Sequence, residues 1–561
     1  MPRCSTGLLF AFLACPILHA QAPLPLEGEP YRLAEEAYRL QQNQDVNGAL
    51  HAVDGALALA PGHPQLLAIK RELLFASGRL DESDTVNHSI LAQQPGNAEA
   101  RLFLVYLRQR QSRFAEALEA AGRISSDPAT PKDVHQKTRS AMVDLLQAMG
   151  RPAEALTALE TLEGEPSLVD QSRRAFLVLA CGRPEAACPE FEKALAMAPP
   201  AEQRRTLLQG LCDAARGAKK PDLELKALEA LRAQGPKDHR VALDLAYAYL
   251  GHQRDREALE QFRVALDSAS PSGAWLDAGY AAKRAGKNAE AAGYFSKGIE
   301  ARAKAGEREP VLDFGLRREV ESLSRSWGLV SGTAYRQGGL LPGIESEQKV
   351  LQQGLEAYWQ PEFLTRDGRM VQIFAQAFEN LYSASASTTG GPTLQGAAGI
   401  RVKPLSSQNL VLTAEKLIKV GRFAMDDWMF RAAYSLDQGL DLRPWQSDWN
   451  YWSLYTEAAS FAKTGQYVHQ LELRAGHSWR IPVSDGRNVL SPHFVLAGDY
   501  DNRLLETSAA GLGAGASLRH WFREDRSHAP ASWVELTIQG RTKLNSASRG
   551  GGVFVTLSCW F

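Results

Sequence analysis

Apolar and polar positions follow two different periods along this chain. Between about 30 and 304 the apolar residues recur at the spacing of one helix face, and proline closes each unit. Pro61, Pro95 and Pro128 end the first three units, at spacings of 34 and 33 residues, after ALHAVDGALALAP, ESDTVNHSILAQQP and AEALEAAGRISSDP. Later units set Ala187, Phe191 and Ala194 before Pro199, then Ala258, Phe262 and Ala265 before Pro271. The last complete unit places Trp275, Gly279, Ala291 and Phe295 at matching offsets. From 327 onward the period falls to two. In DWMFRAAYSLD, Trp428, Phe430, Ala432, Tyr434 and Leu436 share one face, and Arg431, Ala433, Ser435 and Asp437 the other. WVELTIQGR sets Val534, Leu536 and Ile538 against Glu535, Thr537, Gln539 and Arg541. YVHQLELRAGHS sets Leu471, Leu473 and Ala475 against Gln470, Glu472, Arg474 and Gly476.

The helical part resembles tetratricopeptide repeats over about eight units, with degenerate ones near 132–166 and 204–236. Small Ala or Gly lets paired helices approach, an aromatic fills the gap to the next pair, and Pro ends the second helix. No unit buries its apolar face alone, so the units must stack, and stacking makes a concave surface that suits peptides or partner proteins. A spacer without a ligand is the rival reading. His51, His63, His88 and His135 are scattered and carry no assigned chemistry.

The alternating part predicts roughly twelve strands, near 327–337, 346–360, 369–381, 393–404, 409–419, 427–437, 449–462, 466–479, 490–500, 510–522, 531–541 and 550–561. A soluble sandwich alternates in the same way. The terminus GGVFVTLSCWF favours a membrane barrel: Val553, Val555, Leu557, Cys559 and Phe561 share a face, and a terminal aromatic closing such a strand resembles the assembly signal of bacterial outer-membrane barrels. Trp359, Trp452, Trp479, Trp521 and Tyr500 fall near strand ends, where interfacial girdles lie. An even strand count returns both barrel ends to one side, beside the repeats. One feature fits poorly. Outer turns such as KTGQ (463–466) are no longer than inner ones such as DQGLDLRPWQSD (437–448), so the usual long-outside asymmetry is missing; either the strand count is off by one or two or the outer face is unusually trim.

The fold class expected is therefore an α-solenoid followed by an antiparallel transmembrane β-barrel. Its boundaries are a signal peptide at 1–20, repeats at 30–304, a linker at 305–326 and the barrel at 327–561. MPRCSTGLLFAFLACPILHA has Arg3, an apolar stretch from Leu8 to Leu18 and a small-residue end before Gln21, the layout of a secretory signal. A lipoprotein signal acylated at Cys15 fits less well, because Phe12 is bulky. The charge balance, 63 Lys+Arg against 64 Asp+Glu, argues against nucleic acid as a partner. Ten of the eleven Trp lie after position 320, all in the alternating part. Cys181, Cys188, Cys212 and Cys559 fit no metal spacing, and small buried thiols are favoured over a disulfide among the first three. Gly-rich phosphate loops, H-E-x-x-H and G-x-S-x-G are absent from the sequence, so no catalytic residue, cofactor or metal is assigned. A barrel-wall hydrolase using His493, His520 or His528 is the weakest alternative.

The polar strand faces are expected to line an aqueous lumen. On this register Glu415, Arg431, Asp437, Glu472, Arg474, Asp499, Arg519, Glu535 and Arg541 project inward, with Trp533, Trp521 and Phe374 placed to stack on sugar rings. Mutual pairing of these charges, stabilising the interior alone, is the competing reading.

An exported repeat array ending in a barrel resembles the outer-membrane exporters of exopolysaccharides such as poly-N-acetylglucosamine and cellulose. The runs RVKPLSSQNLVLTAEKLIKVG, DDWMFRAAYSLDQGLDLRP, ASLRHWFRED and SHAPASWVELTIQGR are similar to the C-terminal domain of the bacteriophage N-four adsorption protein A family. That resemblance implies an outer-membrane protein, with periplasmic repeats, that helps to secrete a polysaccharide made by an inner-membrane glycosyltransferase. A periplasmic modifying enzyme is a further partner for the repeats, and outer-membrane lipid and the barrel assembly machinery are partners of the barrel. Some members, with their glycan, serve as phage receptors. The repeat region here is shorter than in the long members. The alternative of another class is a surface-anchored adhesion or assembly scaffold with a plugged barrel.

Overall fold

The computed structural model describes residues 26–161, 164–335, 350–365, 368–383, 389–483 and 486–561. The signal-peptide expectation for 1–20 lies outside them. The chain divides between Gln234 and Gly235 into two compact units. In the first, helices pair in sequence: α1 (Glu29–Gln42) with α2 (Val46–Leu59), α3 (Pro64–Ala76) with α4 (Leu80–Gln93), and α5 (Ala98–Arg110) with α6 (Phe114–Ser125). The pairs α7 (Lys132–Ala148) with α8 (Pro152–Glu160), α9 (Leu168–Ala180) with α10 (Pro184–Ala196), and α11 (Ala201–Gly217) with α12 (Pro221–Gln234) complete it. Both degenerate stretches thus form ordinary helix pairs.

Short polar caps and prolines set the helix starts. Asp45, Asn97 and Ser167 accept hydrogen bonds from first-turn amides, and Pro64, Pro152 and Pro184 open helices where no amide partner is needed. Packing follows the small-against-aromatic rule. A side chain on Gly210 would overlap the fully buried Phe191 ring, which also meets Phe176 edge-on at 4.9 Å. Cys188 and Cys212 are buried thiols in the same stack and Cys181 is half-buried; none of the three is in a disulfide.

The second unit holds α13 (His239–Gly251), α14 (Asp255–Ala265), α15 (Ser272–Arg284), α16 (Asn288–Ala305), α17 (Pro310–Ser324) and the strands. These are β1 (Trp327–Tyr335), β2 (Val350–Trp359), β3 (Met370–Ser383), β4 (Gln395–Lys403), β5 (Asn409–Lys419) and β6 (Trp428–Gln438). β7 (Asp448–Phe461), β8 (Tyr467–Ile481), β9 (Asn488–Asp501), β10 (Ser508–Phe522), β11 (Ser532–Lys543) and β12 (Gly552–Trp560) follow. Every strand pairs antiparallel with its sequence neighbours, and β12 returns to β1, closing a twelve-stranded barrel. Val330 sits opposite Trp560, and the Leu329 and Phe561 backbones exchange hydrogen bonds of 3.0 and 2.9 Å across the seam. Strand ends differ by a few residues from the pattern-based spans; 336–337 and 346–349 lie outside the described residues.

Residues 305–326, expected as a linker, contain α17. This helix packs on α16 and also on the barrel mouth nearest to it, called the near end below. The Arg317 carbonyl accepts from the Ala529 amide at 3.2 Å, Arg317 pairs with Glu524 at 2.6 Å and Arg318 with Asp441 at 2.7 Å. Lys283 of α15 reaches Glu319 at 2.6 Å, so α17 also extends the helical stack. At the β2–β3 turn, Glu362 accepts from the Ala289 amide at the start of α16, and Asn288 donates to the Thr365 carbonyl. The near-end turns 360–369, 439–447 and 523–531 thus carry the helices, whereas the far-end turn at 462–466 holds the neighbouring turn through Asp426 and Asp427.

Replacing Phe191 by Ala removes the ring that fills the Gly210 gap and is expected to cost about 3–5 kcal/mol. Gly210→Leu is expected to destabilise the same helices by overpacking against Phe191 and Phe176, and Gly210→Ala should partly compensate Phe191→Leu combined with Phe176→Leu. Denaturation followed by far-ultraviolet circular dichroism tests this; additive effects in the combined variant would contradict it.

Candidate functional site

Alternation gives the barrel two unlike surfaces. Outside, Leu355, Ile373, Ile400, Leu412, Phe430, Leu473, Phe494, Leu496, Leu512, Ile538 and Val553 are exposed. Trp327, Trp359, Trp452 and Trp479 flank this band at the near end, and Phe423, Trp428, Tyr467 and Tyr500 at the far end. An apolar band of this extent between aromatic girdles suits hydrocarbon and not water. Trp521, expected both near a girdle and among the inward aromatics, faces inward and is buried. The terminal strand's Val553, Val555, Leu557 and Phe561 share the outward face.

Inside, charges meet from different strands. Glu415 has no exposed surface and lies 2.7 Å from Arg431, which also faces Glu457 at 3.5 Å. Gln376 donates to Glu415 at 2.6 Å, the Tyr455 hydroxyl donates to Glu457 at 2.7 Å, and Arg401 pairs with Glu356. A second cluster joins Glu472 to Arg474 at 2.6 Å and to Arg541 at 2.5 Å, bridging β8 and β11 across the interior. Arg541 also bonds Gln539, whose amide donates to Nε2 of the buried His493. Arg519 pairs with Glu535 at 2.7 Å, donates to the Leu440 carbonyl at 3.1 Å, and lies over the Trp533 and Trp521 rings. Asp499 is held by Arg549 of the far-end turn at 2.7 Å, while Asp437 lies on the inward face near Arg318 and Arg519.

Apolar clusters lie toward both ends. At the near end, Phe314 from α17 packs with Leu442, Trp449, Val489, Trp521 and Ala529, with Trp533 against them. At the far end Phe378, Leu417, Met429, Phe461 and Val468 pack together. On the far rim, outside the strands, Asp426 receives Lys416 and Lys463, each at 2.5 Å; these hydrogen bonds hold its carboxyl at about 2.

The ten residues read from sequence as lumen-lining fall on the inward faces, and most are joined in the ionic clusters. Pattern reading missed Glu356, Gln376, Arg401, Glu457 and Gln539, which share the inward parity of their strands and were legible in it. It also missed Phe314, Arg317 and Arg318, whose local sequence carries no sign of a docking partner 120 to 210 residues away. Phe374 faces inward under the Arg401 guanidinium. The three histidines go to separate places: His493 into the interior, His520 to the outer face beside Asn488, and His528 to a near-end turn beside Asp525.

The fold defines a class: tetratricopeptide-like helix pairs followed by a closed, twelve-stranded antiparallel barrel with a charged interior. Residues 386–557 match the family described as "Bacteriophage N adsorption protein A C-term", a stretch running from just before β4 into β12. The chain is also similar to several solved structures. One is PilW, a type IV pilus biogenesis factor, at 17% identity over 39% of this chain and 98% of that one, with a TM-score of 0.33. Another is pilF of Pseudomonas aeruginosa, at 15% identity over 40% and 96%, with a TM-score of 0.32. A tetratricopeptide repeat protein from Parabacteroides merdae is 16% identical over 53% and 97%, with a TM-score of 0.26. No curated protein sequence matches the chain. No helix among the described residues is long and apolar enough to cross a membrane, which says nothing of the barrel.

Arg431→Met leaves the Glu415 carboxylate buried without its cation and is expected to destabilise the barrel by about 3–5 kcal/mol. Adding Glu415→Gln should recover most of that loss in urea unfolding in detergent; no recovery would deny the coupling. The lowered Asp426 value predicts the opposite of an alkaline sensitivity. Its clamp on Lys416 and Lys463 is complete above the ordinary aspartate value of 3.8 and is lost as pH falls through about 2. Hydrogen exchange across 420–427 should be unaffected by that clamp at neutral pH and rise only in this acid window.

Proposed function

We propose that the protein is the outer-membrane component of an exopolysaccharide secretion system, closed at rest. The observation that supports it best is the pairing of a charged, aromatic-bearing interior with a near-end mouth occupied by α17, the last helix of the repeats. In this reading the N-terminal segment is a secretory signal, the helix pairs lie in the periplasm and recruit the glycosyltransferase or a modifying enzyme, and the barrel spans the outer membrane. Weak, repeated hydrogen bonds from inward charges and amides, with stacking on Trp533, suit a polymer that must keep moving. Passage requires α17 to withdraw and the ion pairs to exchange partners with sugar hydroxyls. The far-end turns would be the surface available to phage, in keeping with the family description of the matched segment. The chain performs no catalytic step in this reading.

A plugged barrel that anchors an adhesion or assembly scaffold is the second reading, favoured by the bridging Arg541–Glu472 pair and the apolar clusters at both ends. Two measurements separate them. Deleting the gene should abolish surface glycan while intracellular synthesis continues; unchanged secretion removes the transport reading. Glu524→Gln with Asp441→Asn, which releases Arg317 and Arg318, should raise single-channel conductance in planar bilayers several-fold, whereas a permanently plugged anchor stays silent.

A further inference from the structure

We propose that a cavity on the outer side of the near end binds the phosphate of a phospholipid in the adjacent leaflet, with Arg523 as the cation that receives it. The cavity, about 410 Å³, lies between the end of α17 and the β10–β11 turn, lined by Glu321, Arg325, Trp327, Arg523 and Asp525 among others. The site rests on the barrel being embedded in a membrane, not on what the barrel carries.

Charge matching within the cavity singles out Arg523. Arg325 is paired with Glu321 at 2.9 Å, Glu524 is held by Arg317 at 2.6 Å and Arg487 at 3.5 Å, and Asp525 by His528 at 2.8 Å. Arg523 pairs with no carboxylate among the described residues. Its protein contacts are a long hydrogen bond to the Ser532 hydroxyl at 3.5 Å and the face of the Phe561 ring, 4.3 Å away. It is exposed and available to an outside anion.

Its backbone is also unusual, at φ 63°. The other non-glycine residues with positive φ among the described ones, Gln44, Ser112, Ala198, Lys219 and Gln253, all lie in turns that follow repeat helices. Arg523 alone belongs to the barrel.

The surroundings identify the anion's source. Arg523 sits over Phe561, whose ring is 6.0 Å from Trp327 and 6.4 Å from Phe522, in the outward aromatic girdle. Exposed Leu329 and Leu557 continue the apolar surface from there toward the barrel waist, where acyl chains would run. A guanidinium fork at that height offers two parallel donors to a phosphodiester. A luminal polymer has no route to this outward face.

The test uses the full chain in detergent, with phosphatidylethanolamine and phosphatidylglycerol as probes and native mass spectrometry as readout. The parent should retain one phospholipid, and Arg523→Gln should weaken retention about tenfold while Arg526→Gln, in the same turn, leaves it unchanged. Arg523→Gly separates binding from folding: it should melt no lower than the parent, because it relieves the positive φ, yet lose the lipid like Arg523→Gln. Equal retention by the parent and both Arg523 variants overturns the site, as does a Gly variant that loses stability but keeps lipid. Displacement by millimolar inorganic phosphate as readily as by lipid would assign a free anion instead. A chain that stays soluble without detergent fails earlier, at the membrane reading itself.

Discussion

Ring closure is the constraint on which the barrel depends. A sheet whose outer face is leucine, isoleucine, phenylalanine and tryptophan suits hydrocarbon, and hydrocarbon offers nothing to an unpaired amide or carbonyl. The β1–β12 seam removes the only free edges the sheet would have. Hydrogen bonds between Phe561 and Leu329 close it toward the near end. Phe561 therefore has two tasks: its backbone completes the ring, and its side chain joins Trp327 and Phe522 at the girdle.

With the edges gone, the remaining problem is the inside. Twelve strands enclose more space than the eight whose side chains just fill a barrel, and fewer than the sixteen or more that leave a wide aqueous channel. Here the space is crossed by long charged side chains in pairs, with apolar clusters toward each end. Pairing answers most of the charges inside a confined site, and Tyr455 keeps exposed surface on the inward face. The interior is thus polar and largely paired within itself.

α17 connects these two architectures. It is bonded to α15 through Lys283–Glu319 and to the barrel through Arg317, Arg318 and Phe314. One helix cannot shift against the barrel mouth without disturbing the repeat behind it. The helices from α13 onward belong to one compact unit with the barrel.

Sequence by itself determined the local structure and the facing of side chains. Period fixes which residues share a face: Phe191 and Phe262 had to be buried between helices, and Glu415, Arg431 and Arg541 had to point opposite to Leu412, Phe430 and Ile538. The change of period at 327, the even strand count and the closing aromatic were legible because each is a short-range regularity. Which charges meet was not legible, since Glu472 and Arg541 lie on strands three apart around the ring and only closure brings them together. Trp521 shows the same limit: its place near a strand end suggested a girdle, yet its parity sent it inward onto α17's Phe314. Phe314, Arg317 and Arg318 sit in the short helix-like stretch after the polar segment 301–310, and the barrel mouth alone gave them partners. Periodicity is a property of neighbours along the chain, whereas docking and ion pairing are set by distances that exist only after the ring has closed.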